Sequence, residues 1–257
     1  MNWEQFVFEG KPFEGVYIFD VHAHVGAHKP FQLGAYDADG VAETCRRMNV
    51  AGAVVSSLPS MASDWVWGNE EVVASVQKHP GLLWGYATPN PFYEDCDLTP
   101  YLDTPGFVGV KVHGSFQAGT PVNDHRYDAA YELANKRGLP VLFHAWMPSE
   151  VQAAADVAKR YPNANIILGH SGMTARDHAV AAAKEFDNIF IDTAISSTYD
   201  NTIELLVDKV GADRVVYGSD IAFFDCIHTM GKIALAQISD TDKEKIFGLN
   251  AKKLFRV

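Results

Sequence analysis

The stretch Asp20-Val21-His22-Ala23-His24 sets two imidazoles two positions apart at the end of an apolar run, Val16-Tyr17-Ile18-Phe19. Such a run reads as a buried strand, and residues two apart on a strand point to the same face. His22 and His24 therefore project together and can hold one metal ion. Three further apolar runs end in groups of the same kind, at His144, His170 and Asp220. Imidazole nitrogen and carboxylate oxygen are suitable donors for zinc and other divalent first-row ions. Three histidines with one aspartate would leave room for a bound water, as catalytic sites require and closed structural sites do not.

Bringing these groups to one point is a demand on the fold. Short apolar, β-branched runs at 16–22, 52–58, 82–87, 107–113, 139–144, 165–169, 188–193 and 214–218 are the predicted strands. Helical patterns fall between them, near 39–49, 69–79, 125–137, 149–160, 174–186, 200–210 and 227–238. Asn69 before Glu70-Glu71 and Pro148-Ser149-Glu150 mark helix starts, and Gly138 marks a stop. Prolines 89, 91, 100 and 105 keep any helix between 88 and 106 short or irregular. Continuous apolar runs such as Val141-Leu142-Phe143 and Ile166-Ile167-Leu168 suit strands covered on both faces. Eight strand–helix units predict an α/β fold of one domain over residues 1–257, a (β/α)8 TIM barrel. A doubly wound open sheet is the alternative. The metal-type residues argue against it, because they come from strands one, five, six and eight, whose ends only a closed barrel gathers.

The composition narrows the partners. The chain has 257 residues, 47% hydrophobic and 21% charged, with a net charge of −11. Phosphate backbones and anionic membrane surfaces are poor partners for that charge. The expected partner is a small-molecule substrate, with neither nucleic acid nor membrane, and a homodimer is the assembly considered. Cys45, Cys96 and Cys226 form no zinc, redox or disulfide pattern, which suits a reducing cytoplasm. The N-terminus MNWEQFVFEG has no basic region followed by an apolar core, so no signal peptide is expected. No apolar run reaches the ~18 residues of a membrane span.

At this point the chain resembles the amidohydrolase superfamily, and within it the amidohydrolase-related group of metal-dependent hydrolases and decarboxylases. The resemblance rests on Phe19-Asp20-Val21-His22-Ala23-His24, Gly109-Val110-Lys111-Val112-His113, Gly138-Leu139-Pro140-Val141-Leu142-Phe143-His144, Leu168-Gly169-His170-Ser171-Gly172 and Val216-Tyr217-Gly218-Ser219-Asp220. The segment Lys245-Ile246-Phe247-Gly248-Leu249-Asn250-Ala251 is similar to that group's closing helix. The resemblance implies a divalent metal, zinc as first choice, on His22, His24, His144 and Asp220. It implies that His170 is either a ligand to a second metal or an unligated catalytic group, and that Asp220 also handles protons. In binuclear relatives a strand-four lysine is carbamylated and bridges two metals; Lys111 is the only candidate here, and the expectation is a single ion with Lys111 a free amine that holds an acid or a substrate carboxylate.

Other residues have a functional and a plain reading. His113 reads as a pocket residue rather than a ligand. Trp65, Trp67, Phe116, Trp146, Phe223 and Phe224 fall in predicted loops around the site mouth and would make an aromatic pocket, or else pack loops or a subunit interface. Arg176 would bind a substrate carboxylate or sit on the surface of the sixth helix. Gly218-Ser219-Asp220 could be an ordinary turn with Asp220 as a helix cap.

The leading expectation is a hydrolase, in which a metal-activated water attacks an amide, ester or lactone, with His170 and Asp220 shuttling the proton. The alternative is a non-oxidative decarboxylase of an aromatic or unsaturated acid, in which the metal orients substrate oxygens and His170 exchanges a proton. A non-enzymatic ligand-binding barrel is the third reading.

Overall fold

In the computed structural model, which describes every residue except 29–32, 35, 95 and 195–199, the predicted barrel is present. Eight parallel strands, Phe19–Val25 (β1), Gly52–Ser57 (β2), Leu83–Ala87 (β3), Phe107–Val112 (β4), Pro140–Phe143 (β5), Asn165–Leu168 (β6), Ile189–Asp192 (β7) and Val215–Val216 (β8), pair in chain order. Bonds from Val21 N to Tyr217 O (2.9 Å), Asp220 N to His22 O (2.8 Å) and His24 N to Ile221 O (2.5 Å) join the first strand to the chain after the last.

Strand side chains fall into two layers. Phe19, Val21, Val54, Tyr86, Val108, Leu142, Ile167 and Val216 fill the barrel axis, and Ala251, Leu254 and Phe255 of the C-terminal helix Asn250–Phe255 pack against one end of that column. The larger apolar cluster, which includes Ala23, Val25, Val110 and Val112, lies between the strands and the surrounding helices.

Val21 and Ala23 lie in different layers although they are two apart, and so do Val108 and Val110. The cause is a β-bulge on each strand. From Asp20 to Ala23, β1 spends three steps against two on β2. From Phe107 to Gly109, β4 spends two steps against one on β3. A bulge turns the following side chains to the opposite face. His22 and His24, and Lys111 and His113, therefore point into the barrel above Val21 and Val108. Gly109 makes the second bulge possible: a Cβ there would stand 2.6 Å from Pro140 O and 2.8 Å from the Tyr86 ring.

Several boundaries differ from expectation. β1 begins at Phe19 rather than residue 16, since its partner strand starts only at Gly52. The helix expected from Asn69 starts one turn earlier, as Trp65–Lys78, because Asp64 caps it through Trp67 N. Asn69 is instead buried inside that helix and bonds Thr88 through both its backbone groups. Trp65 and Trp67 are thus helical residues, not loop residues. The stop at Gly138 (φ 64°) and the start at Pro148, with Glu150 bonding back to Met147 N, are as expected. The helix Trp3–Glu9, capped by Asn2, was not anticipated. Among the described residues no helix is long and apolar enough to cross a membrane.

Candidate metal centre and its cavity

Among the described residues, the end of β1 and the turn after β8 supply the group of donors that lie close enough to share one ion. Ligand atoms of His22, His24 and Asp220 all lie within 4.8 Å of one another, and all three residues are buried. Asp220 Oδ1 is 3.1 Å from His24 Nε2 and 3.6 Å from His22 Nε2. The opposite ring nitrogens are already engaged. His22 Nδ1 lies 2.7 Å from Asp192 Oδ2, and His24 Nδ1 lies 3.0 Å from Ser56 Oγ. Such outer contacts fix a ligating imidazole's orientation and leave Nε2 for the ion. The donor set therefore fits a divalent first-row metal.

Two buried carboxylates build this corner. Asp20 accepts bonds from His22 N and Ser219 N, both at 3.0 Å, and from Ser219 Oγ. It thereby locks the turn that carries Asp220, whose backbone has φ +61°. Asp192 Oδ1 accepts from His170 N at 2.7 Å and Ala194 N at 3.1 Å. His170 also has a left-handed backbone, φ +63°, a conformation that costs energy in a non-glycine residue and persists only when its surroundings impose it. Gly218 lets these parts close up, since a Cβ there would meet His22 Cβ at 2.9 Å and Asp192 Oδ2 at 3.2 Å.

The remaining expected residues divide. His144 is not part of the three-donor group; its Nδ1 faces His170 Nε2 at 3.0 Å. His170 Nδ1 is 3.9 Å from Asp220 Oδ2, so His170 stands between His144 and Asp220. Lys111 is fully buried with Nζ 2.9 Å from His22 Nε2. His113 stacks on His144 at 4.0 Å and on Phe116 at 3.9 Å. His113, Phe116, Trp146, Phe223 and Phe224 line a cavity of about 390 Å³ that also contains the three donors, Lys111, His144 and His170. Arg176 does not line it; its guanidinium faces Thr202 on the outer helices. Trp65 and Trp67 are also outside the cavity. Asp220 caps no helix; Asp225 caps the helix that follows, Cys226–Leu235. Asp192, Asp20 and Ser56 were missed in the sequence, although Asp192 ends the apolar run Ile189-Phe190-Ile191 much as Asp220 ends its own.

Burial sets the charge states. It holds the imidazoles of His22, His24, His113 and His170 below the usual value, and His144 at about 3. Burial raises the Asp20 carboxyl to about 7 and lowers the Lys111 amine to about 8. Burial also raises Asp192, with Lys111 and two backbone N–H groups pulling the other way. For the metal-free protein the five depressed imidazoles contribute stability that is complete above ~6.5 and lost as pH falls towards their folded values. The two raised carboxyls act oppositely, losing their contribution as pH rises from ~4. Five groups outweigh two, so the urea midpoint of chelator-stripped protein is expected to be lower at pH 5 than at pH 7.5. Equal midpoints would contradict the neutral-histidine assignment.

Comparison with known proteins now bears on the site. The amidohydrolase family profile matches residues 19–257. A gamma-resorcylate decarboxylase of Rhizobium sp. (strain MTP-10005) is 28% identical over 204 residues, 59% of this chain; the aligned part spans 62% of that enzyme's length. A 2,6-dihydroxybenzoate decarboxylase solved with 2,6-dihydroxybenzoate superposes with a TM-score of 0.77 at 17% identity, covering 94% of this chain and all of that one (100%). A dihydroxybenzoic acid decarboxylase from Polaromonas sp. JS666, solved with manganese and 2-nitroresorcinol, gives 0.75 at 17% identity, covering 94% and 97%. These relatives are carboxy-lyases, which overturns the leading expectation of a hydrolase. The physical reason it misled is that an ion on a barrel rim polarises an amide and orients a carboxylate with the same donors.

Proposed function

This chain belongs to the amidohydrolase family, and from that premise we propose that it is a metal-dependent, non-oxidative decarboxylase of a hydroxylated aromatic acid. The observation that carries the reading is one cavity that holds the His22–His24–Asp220 donor group, the His170 ring and a wall of aromatic side chains. The dihydroxybenzoate and the nitroresorcinol bound in the similar solved structures are rings of this kind. At about 390 Å³ the cavity is in the range of small-ligand sites.

His22, His24 and Asp220 would hold the ion, with His144 at the rim of the same cavity as the further ligand. Zinc and manganese both suit nitrogen and oxygen donors; manganese is the ion in the Polaromonas structure. When bound, the ion supplies positive charge to the substrate's carboxylate and neighbouring hydroxyl oxygens. Lys111 is the cation that this chain turns towards the cavity among the described residues, and it serves the substrate carboxylate. Beside the anionic substrate His170 takes up a proton to become the imidazolium, and gives it to the ring carbon that bears the carboxylate. The carbon–carbon bond then breaks, its electron pair restores the ring, and carbon dioxide leaves. His170 recovers its proton from solvent by way of Asp220, 3.9 Å from Nδ1. Phe116, Trp146 and Phe223 exclude water, which favours conversion of a charged carboxylate to neutral carbon dioxide.

The reading is tested with a panel of benzoates that carry or lack a hydroxyl next to the carboxylate. Carbon dioxide release that requires added divalent metal and the adjacent hydroxyl is the expected result. Release that is indifferent to chelator, or no release from any member, would refute it.

A further inference from the structure

Among the buried polar groups that the mechanism leaves unused, Asp192 has the most contacts with the site. It closes β7, is fully buried, and reaches two elements at once. Oδ2 faces His22 Nδ1 at 2.7 Å. Oδ1 accepts from the backbone of His170 at 2.7 Å and of Ala194 at 3.1 Å. Its carbonyl accepts from Ser171 Oγ at 2.8 Å. Oδ1 is therefore an acceptor, and the role of Oδ2 follows from which nitrogen of His22 carries the proton.

We infer that Asp192 is a positioning residue that keeps the proton of His22 on Nδ1, so that the Nε2 lone pair is open to the ion, while it clamps His170 beside that ion. The inference rests on the metal reading above. A neutral imidazole carries one proton, and the hydrogen bond made by one nitrogen decides which nitrogen carries it. The contact of Lys111 Nζ with His22 Nε2 at 2.9 Å agrees, because an ammonium donates and so needs a lone pair there. One residue thus couples the ligand's tautomer to the placement of the acid–base group.

The consequence is specific to the carboxylate. An amide of the same shape has one acceptor and one donor. The two backbone N–H groups on the Oδ1 side can only donate, so Asp192→Asn must present its oxygen to them. Its amino group then faces His22 Nδ1. His22 answers by moving its proton to Nε2, where an ion would have to displace it. His170 keeps its backbone bond, and the fold is unaffected.

The test uses chelator-stripped full-length protein and zinc ions titrated against a competing chromophoric chelator. Asp192→Asn is expected to weaken zinc binding roughly 10–100-fold, the usual cost of losing an outer partner of a ligating histidine. Its far-ultraviolet circular dichroism should be unchanged. Nitrogen-15 spectra of the histidine rings give a readout independent of zinc. His22 should carry its proton on Nδ1 in the wild type and on Nε2 in the variant. Zinc affinity equal to wild type in a folded variant overturns the inference. So does a wild-type His22 protonated on Nε2, which can be read even if the variant does not fold. Wild-type protein that takes up no zinc or manganese would instead refute the metal reading, a separate result from either of these.

Discussion

Replacing His22 and His24 together by alanine is expected to reduce the metal content of the purified protein to a trace and to abolish carbon dioxide release. Two of the three donors that lie within 4.8 Å of one another disappear, and Asp220 with only His144 at the cavity rim cannot retain an ion against buffer. The loss should be larger than for either single substitution. The barrel should survive, since the axial column from Phe19 to Val216 and the joining bonds from Val21 to Tyr217 do not involve these rings. Elemental analysis after dialysis, beside the wild type, gives the answer. Equal metal in both would show that the ion, if any, is held elsewhere.

His170→Asn is expected to lose about 10²–10⁴-fold in turnover, the usual contribution of a positioned proton-transfer group. Asparagine suits this position for a particular reason. The backbone at His170 has φ +63°, and asparagine is among the few residues that enter that region readily. The backbone N–H can still bond Asp192. The melting temperature and metal content should therefore stay near wild type while kcat falls. A variant that keeps full turnover would remove His170 from the mechanism, and one that loses its metal would make it a ligand.

Much of this was legible in the sequence because strands buried on both faces are unbroken apolar runs. Each run ends where the barrel mouth begins, so His22, His24, His144, His170 and Asp220 announced themselves by position. What spacing could not reveal was the pair of bulges. Alternation from Phe19 would send His22 and His24 outward, and only the extra residue between Asp20 and Ala23 turns them in. The conclusion that they share a face was right, and the reason they face inward lies in the pairing with β2.

Asp192 was passed over because it has no partner nearby in sequence: His22 lies 170 residues away. Arg176 shows the converse, a plausible residue close to a motif that the left-handed turns at His170, Ser171 and Met173 carry away from the cavity. The aromatic walls were legible only in part, because Trp65 and Trp67 depended on a helix start that Asp64 moved forward by one turn. The choice between hydrolysis and decarboxylation had no residue to mark it, as both chemistries draw on the same donors.

The central claim is that the donor group and His170 together replace a carboxylate on an aromatic ring by a proton. The most direct measurement is the reaction of manganese-loaded protein with carboxyl-labelled 2,6-dihydroxybenzoate in heavy water. The account expects labelled carbon dioxide in step with resorcinol carrying one deuterium at the vacated ring carbon, and neither from chelator-stripped protein. Ring product without deuterium at that carbon, or turnover that proceeds unchanged without metal, would contradict it.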